Sequence, residues 1–143
     1  MSAPLRVALI ASNHFPLCQP FAGGLEAHVW HLARSLIDRG HEVSLFAGSG
    51  SDLSLDCAAL TVRELLLSAA AQADPSLSPA AFMSDHHAYL SLMMQLADPR
   101  SGFDIVHSHS LHHLPVVMAP MLDTPMLTTC TRLRHRGWSR RST

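Results

Sequence analysis

Apolar and polar positions fall into short blocks over the first fifty residues. "RVALIA", Arg6 to Ala11, is an apolar run with β-branched members, bounded by Ser12 and Asn13. It predicts a strand buried on both faces, as in a parallel sheet. A polar, proline-bearing loop runs from Ser12 to Pro20. In "GLEAHVWHLARSLIDRG", Leu25, Val29, Leu32, Ala33, Leu36 and Ile37 recur at steps of three and four. That spacing predicts a helix with one apolar stripe, closed by Gly40. "HEVSLFA", His41 to Ala47, predicts a second strand ended by "GSGS". Strand, loop, helix, turn and strand make a βαβ unit, whose crossover should be right-handed.

The middle carries weaker periodicity. "CAALTV" predicts a short third strand, and "RELLLSAAAQA" a helix that Asp74-Pro75 breaks. Ser78-Pro79 is a helix start, after which Phe82, Tyr89, Leu90, Met93, Met94 and Leu96 are offered to a core until Pro99. "FDIVHSH", Phe103 to His109, predicts a buried strand. "LHHLPVVMAPML" predicts a helix with Pro115 in its first turn, and "TPMLTT", Thr124 to Thr129, a last strand. This alternation predicts an α/β fold, a Rossmann-like doubly wound parallel sheet with helices on both faces. There is no internal repeat and no low-complexity linker. Residues 1–129 are expected to form this domain, and residues 130–143 an irregular tail.

Composition narrows the class. The 143 residues are 48% hydrophobic and 15% charged, which predicts one globular domain with a real core. No apolar run approaches the ~20 residues of a membrane span, and the N-terminus lacks the parts of a signal peptide. Cys18, Cys57 and Cys130 are widely spaced and unpatterned, which points to a reducing compartment, the cytoplasm by default. All ten basic residues are arginine, and five of them (Arg132, Arg134, Arg136, Arg140, Arg141) lie in the last fourteen residues, which hold no acid. Such a split ordinarily flags an arm for nucleic acid or a membrane.

In open parallel sheets ligands bind outside the carboxyl ends of the strands. Three polar features are expected there: the loop Ser12 to Gly24, the turn "GSGS" and His107-Ser108-His109. Gly23 and Gly24 sit side by side at a helix start, where they supply no capping side chain and cost entropy. Either the loop needs glycine torsions, or a ligand approaches the amides where the helix dipole favours anions. No GxGxxG follows the first strand and no GxxxxGK[ST] occurs, so ordinary dinucleotide and Walker-type phosphate binding are disfavoured. His107, His109, His112 and His113 fall within seven residues. A metal is disfavoured because no cysteine or clustered carboxylate completes a ligand set, and neither a metal nor a cofactor is expected. His107 and His109 are expected to point to opposite faces, with only one facing a cleft. A histidine there suits hydrogen-bonding a hydroxyl or steadying charge on a sugar. Ser12 and Asn13 are candidate binding residues, with satisfaction of the loop backbone as the alternative. Glu26 suits the helix dipole. His28, His31, His41, His86 and His87 are expected to be surface or satisfied histidines, and the methionine pairs core filler.

"RVALIAS", "PFAGGLEAHVWHLARSLIDRGHEVSLFAGSGS", "FDIVHSHS" and "DTPMLTT", taken together and in this order, resemble the N-terminal domain of retaining glycosyltransferases of family 4, which have the GT-B fold. The likeness spans residues 5–129; each motif alone is weak and the set is strong. It implies transfer of a sugar from a nucleotide-sugar donor to an acceptor, with retention and without a metal. It also implies that Gly23 and Gly24 belong to the loop near the donor phosphates and that His109 is the histidine that contacts the transferred sugar. By the same likeness this domain mainly holds the acceptor. The nucleotide is gripped by a second domain with a basic pair and an E-x7-E element, which the 143 residues do not include, so the isolated chain is expected to be nearly inactive. No transmembrane segment is expected, which leaves room for peripheral membrane contact. A non-catalytic binding module of the same fold is the alternative.

The tail has its own expectation. "CTRLRHRGWSRRS" can be encoded by G+C-rich codons that, with one C placed in front and reread in the shifted frame, give "LHTPPPPRLESAQ". The family leads one to expect something close to that after "TPMLTT". Out-of-frame translation of 130–143 is therefore expected, with nucleic-acid binding through the arginines as the rival.

Overall fold

The computed structural model describes residues 3–52 and 54–130. Among these residues five strands form one parallel sheet: β1 (Arg6–Ile10), β2 (Glu42–Phe46), β3 (Ala58–Ala59), β4 (Ile105–Ser108) and β5 (Met126–Thr128), in the order β3-β2-β1-β4-β5. β1 is central, with Val7 opposite Val43 on one side and Ile105 on the other. The order reverses on either side of β1, so this is the doubly wound sheet that the alternation predicts. The tail expectation lies outside the described residues, apart from Cys130.

Alternation along β1 explains both layers of helix. Val7, Leu9 and Ala11 point into one core with Val29 and Ala33 of helix α1 (Gly24–Asp38). Leu25, Leu32, Leu36 and Ile37 pack against it, completing the expected stripe. Ala8 and Ile10 point into a second core with Val106, with Tyr89, Leu92, Met93 and Leu96 of α3 (Ala80–Ala97), and with Leu114 of α4 (His113–Met118). α1 ends where Gly40 takes φ 87°, a conformation that glycine adopts without penalty.

Two expectations for the middle are corrected. Residues 63–67 are not helical; the only helix there is the five-residue α2 (Ala69–Ala73), which starts where the Ser68 hydroxyl accepts from Ala71 N. "RELLL" finds no core surface, and Leu66 stays 85% exposed, so tertiary burial never supports the helix its composition permits. Phe82 and Met94 of α3 are also exposed rather than core. Met94 lies on the far side of the helix from Tyr89 and Leu96, whereas Phe82 shares their face but sits two turns ahead of Tyr89, the first buried residue of the helix, and the core takes Leu92 instead. β5 is an edge strand among the described residues, and Leu127, Val117 and Met121 near it are exposed.

Hydrogen bonding continues past the strand ends and gathers the following loops. Ala11 N donates to Phe46 O (2.8 Å), His109 N to Ile10 O (2.8 Å), Thr129 N to Ser108 O (2.9 Å) and Gly48 N to Ser12 O (3.2 Å). Gly48 is pressed so closely against the Phe15 peptide that a Cβ there would lie 2.5 Å from its carbonyl carbon and oxygen. Backbone cannot step aside cheaply, so Gly48→Ala is expected to lower stability by about 1–3 kcal/mol. Denaturant unfolding of the variant checks this.

Candidate functional site

The carboxyl edge of the sheet brings together the loop after β1, the start of α1, the turn after β2 and the end of β4. Gly23 caps α1 with an extended backbone, φ −165° and ψ −177°, and no side chain caps the helix. Any residue adopts that conformation, and Gly24 is already helical, so neither glycine is present for its torsions. A Cβ on Gly24 would meet nothing within 4 Å, while one on Gly23 would approach the Glu26 carboxylate at 3.1 Å. The space before Gly24 is open, at a helix terminus whose first N–H groups lack intrahelical partners. Glu26, in the first turn, is buried.

Facing this start is the end of β4. His109 is fully buried, and neither ring nitrogen has a hydrogen-bond partner among the described residues. Burial, with the neighbouring His107 and His28, lowers its pKa to about 4. The ring is therefore neutral near pH 7, able to donate one hydrogen bond and accept another. The expectation that His107 and His109 point to opposite faces is wrong: their ring centroids lie 4.0 Å apart. A strand repeats every two residues, so positions two apart share a face. Ile105, His107 and His109 thus share the α1 side, while Val106 faces the other core. The His107 Nε2 lies 2.8 Å from the Thr129 hydroxyl, and burial followed by the nearby His28 lowers its pKa. His28, one helical turn beyond Gly24, sets its ring edge-on to His109 at 5.4 Å. The glycine pair and His109 are therefore at the same end of the sheet and on the same side of it.

The other two sequence candidates separate. Ser12 is used within the loop: its hydroxyl accepts from His14 N (3.2 Å) and its carbonyl from Gly48 N. Asn13 is held at two points. Its N–H donates to the Tyr89 hydroxyl (3.3 Å), which donates onward to Ala11 O, and its Nδ2 donates to Asp85 Oδ1 (3.1 Å). A carboxylate only accepts, which fixes the amide with Nδ2 toward Asp85. Its Oδ1 is left buried with no partner among the described residues. The second Asp85 oxygen pairs with His14 Nε2 at 3.1 Å, and His112 stacks on Tyr89 at 4.3 Å.

Asn13 also lines a cavity of about 1040 Å³ between the turn after β2, the segment after β3 and the first turns of α3. Leu45, Phe46 and Leu55 give it an apolar floor; Ser51, Thr61, Ser84 and His87 give it polar sides. Arg63 is its one lining arginine among the described residues. No sequence pattern points to this cavity, because its walls come from weakly patterned residues. His87, expected to be a surface or satisfied histidine, has Nε2 3.0 Å from Arg63 O at this wall. Among the described residues no group of three His, Cys, Asp or Glu side chains is placed to hold a metal ion.

Residues 22–141 match the family model described as Glycosyltransferase Family 4. The chain belongs to that family. The doubly wound sheet of this family 4 chain is the Rossmann-like architecture of a GT-B glycosyltransferase domain. Among curated proteins it is similar to the D-inositol 3-phosphate glycosyltransferase of Gordonia bronchialis, at 35% identity over 113 residues. That alignment covers 74% of this chain and 24% of the relative, so the chain spans about a quarter of the relative's length. Among the described residues no helix is long and apolar enough to cross a membrane.

Proposed function

We propose that this chain forms the acceptor side and one wall of the donor site of a retaining glycosyltransferase that uses a nucleotide-sugar donor. One observation carries the reading: open space before Gly24 lies one helical turn from His28, whose ring meets the unpartnered His109. In sugar transfer the diphosphate departs with growing negative charge, and bare amides at the start of the fifteen-residue α1 suit that charge. A neutral His109 suits a hydroxyl of the transferred sugar, fixing its position rather than exchanging its proton. Gly23 contributes its backbone to the same turn, although the Glu26 carboxylate lies 3.1 Å from where its Cβ would be. His107, tied to Thr129, steadies the His109 ring.

The acceptor occupies the 1040 Å³ cavity. Its walls favour a polyhydroxylated molecule: hydroxyl and amide groups, with the carboxylates of Asp52 and Glu64, over an apolar floor. The relative's name includes a phosphorylated inositol, and Arg63 is the cation that would meet such a phosphate. The 143-residue chain alone is expected to transfer sugar at a negligible rate, because the nucleotide is gripped mainly by the second domain that the likeness implies. Residues 130–143 are proposed to be out-of-frame, which sequencing of the coding region decides.

Titration of the chain with D-inositol 3-phosphate, followed by amide NMR, tests the acceptor assignment. Perturbations are expected at Asn13, Arg63, Ser84 and His87. Arg63→Ala is expected to weaken binding about tenfold, as loss of one charge-assisted contact does, while binding of unphosphorylated inositol is unchanged. Saturable perturbations confined to other surfaces would refute the assignment.

A further inference from the structure

The sequence suggests a surface or satisfied histidine at position 28, and His28 is exposed on α1. Its surroundings are not ordinary. It lies four residues after Gly24, hence on the same helix face, one turn deeper. Its ring is edge-on to His109 at 5.4 Å, and His109 lies a further 4.0 Å from His107. Meanwhile His109 has no accessible surface and no partner for either ring nitrogen among the described residues. A buried polar group left unpaired costs about 1–3 kcal/mol, which a fold tolerates where a ligand later supplies the partner. The His28 ring is thus set against His109 from the side of α1 that starts at Gly24.

We propose that His28 is a ligand-contacting side chain of the transfer site, covering His109 when the site is empty and turning aside to hydrogen-bond the arriving sugar. This rests on the donor-site reading above and adds to it a residue, a motion and a contact. An exposed side chain changes rotamer in picoseconds to nanoseconds, so the cover imposes no slow step. The imidazole then offers a donor and an acceptor to the same sugar that His109 holds from the opposite side. Two imidazoles gripping one hexose ring would select for the positions of its hydroxyls.

Two measurements on the full chain test this. In the first, diethyl pyrocarbonate modifies histidines and peptide mass mapping follows His109. The neutral His109 ring reacts once it is reached, so its rate reports access. His28→Ala is expected to speed modification of His109 at least tenfold, whereas His28→Phe, which keeps a ring in place, leaves it slow. An unchanged His109 rate in His28→Ala overturns the cover, whatever the protein's function. In the second, UDP-glucose, UDP-N-acetylglucosamine and GDP-mannose are titrated against ¹⁵N-histidine-labelled chain. The His109 ring is expected to shift with ligand, and His28→Ala and His28→Phe are both expected to bind about tenfold more weakly than wild type. Equal binding by all three proteins overturns the contact. If the wild-type His109 and Gly24 respond to no nucleotide sugar, the donor-site reading and the contact fall together, and the modification result separately decides the cover.

Discussion

Gly24→Ala should stabilise the fold and damage the site. Alanine forms helix better than glycine by up to about 1 kcal/mol, and a Cβ at this position meets nothing within 4 Å. Nothing in the described structure therefore opposes the gain, and the melting temperature should rise by several degrees. The same methyl group would project into the space where a diphosphate is proposed to approach the amides. A hydrogen bond to a charged group contributes about 1.5–3 kcal/mol, so its loss predicts roughly tenfold to hundredfold weaker nucleotide-sugar binding. A glycine kept solely for backbone geometry would give the reverse pattern, with lower stability and unchanged binding. Calorimetric melting and a binding titration on the same variant separate the two.

Acidification should weaken the fold well before its carboxylates titrate. His109 has a pKa of about 4 in the native state and about 6.5 when unfolded. The native state resists the proton that the unfolded chain accepts. This contribution is accordingly full above pH 6.5, lost as the pH falls toward 4, and constant below that. The difference corresponds to about 3 kcal/mol, a large part of the 5–15 kcal/mol typical of a domain. His107 and His112, whose pKa values are also lowered chiefly by burial, add in the same direction. The exposed Asp52, Asp74 and Asp98, held below the usual carboxylate value by hydrogen bonds, act only at lower pH. Urea unfolding between pH 4 and 7 should show this loss in the wild type and a shallower one in His109→Gln, which has no ring to protonate. Equal slopes would mean that His109 is not held neutral.

The framework was legible because both of its periods were strong. β1 reads as an unbroken apolar run since helices cover both its faces, and the α1 stripe survives with every position in place. Where the sequence misled, local pattern had lost to tertiary context. "RELLL" is good helix material with nothing to pack on, Met94 is an apolar residue on the outer side of α3, and Phe82 lies on the inner face but two turns ahead of the first buried residue. The site was half legible. Glycines at a helix start and histidines at a strand end mark positions, and strand periodicity could have placed His107 and His109 on one face. The meeting of His28 with His109 and the cavity beside Asn13 depend on how loops after four different strands converge, which no local pattern encodes.

In the proposed site, the start of α1 and the end of β4 hold one donor between them. The most direct measurement is NMR of ¹⁵N-labelled chain at rising nucleotide-sugar concentration, following the Gly24 amide and the His109 ring together. Gly102, and His41 where its Nδ1 accepts from Leu5 N (3.1 Å), serve as controls at the opposite edge of the sheet. Gly24 and His109 are expected to move along one saturation curve while His41 and Gly102 stay still. Movement at the controls alone, or separate curves for Gly24 and His109, would contradict the proposed site.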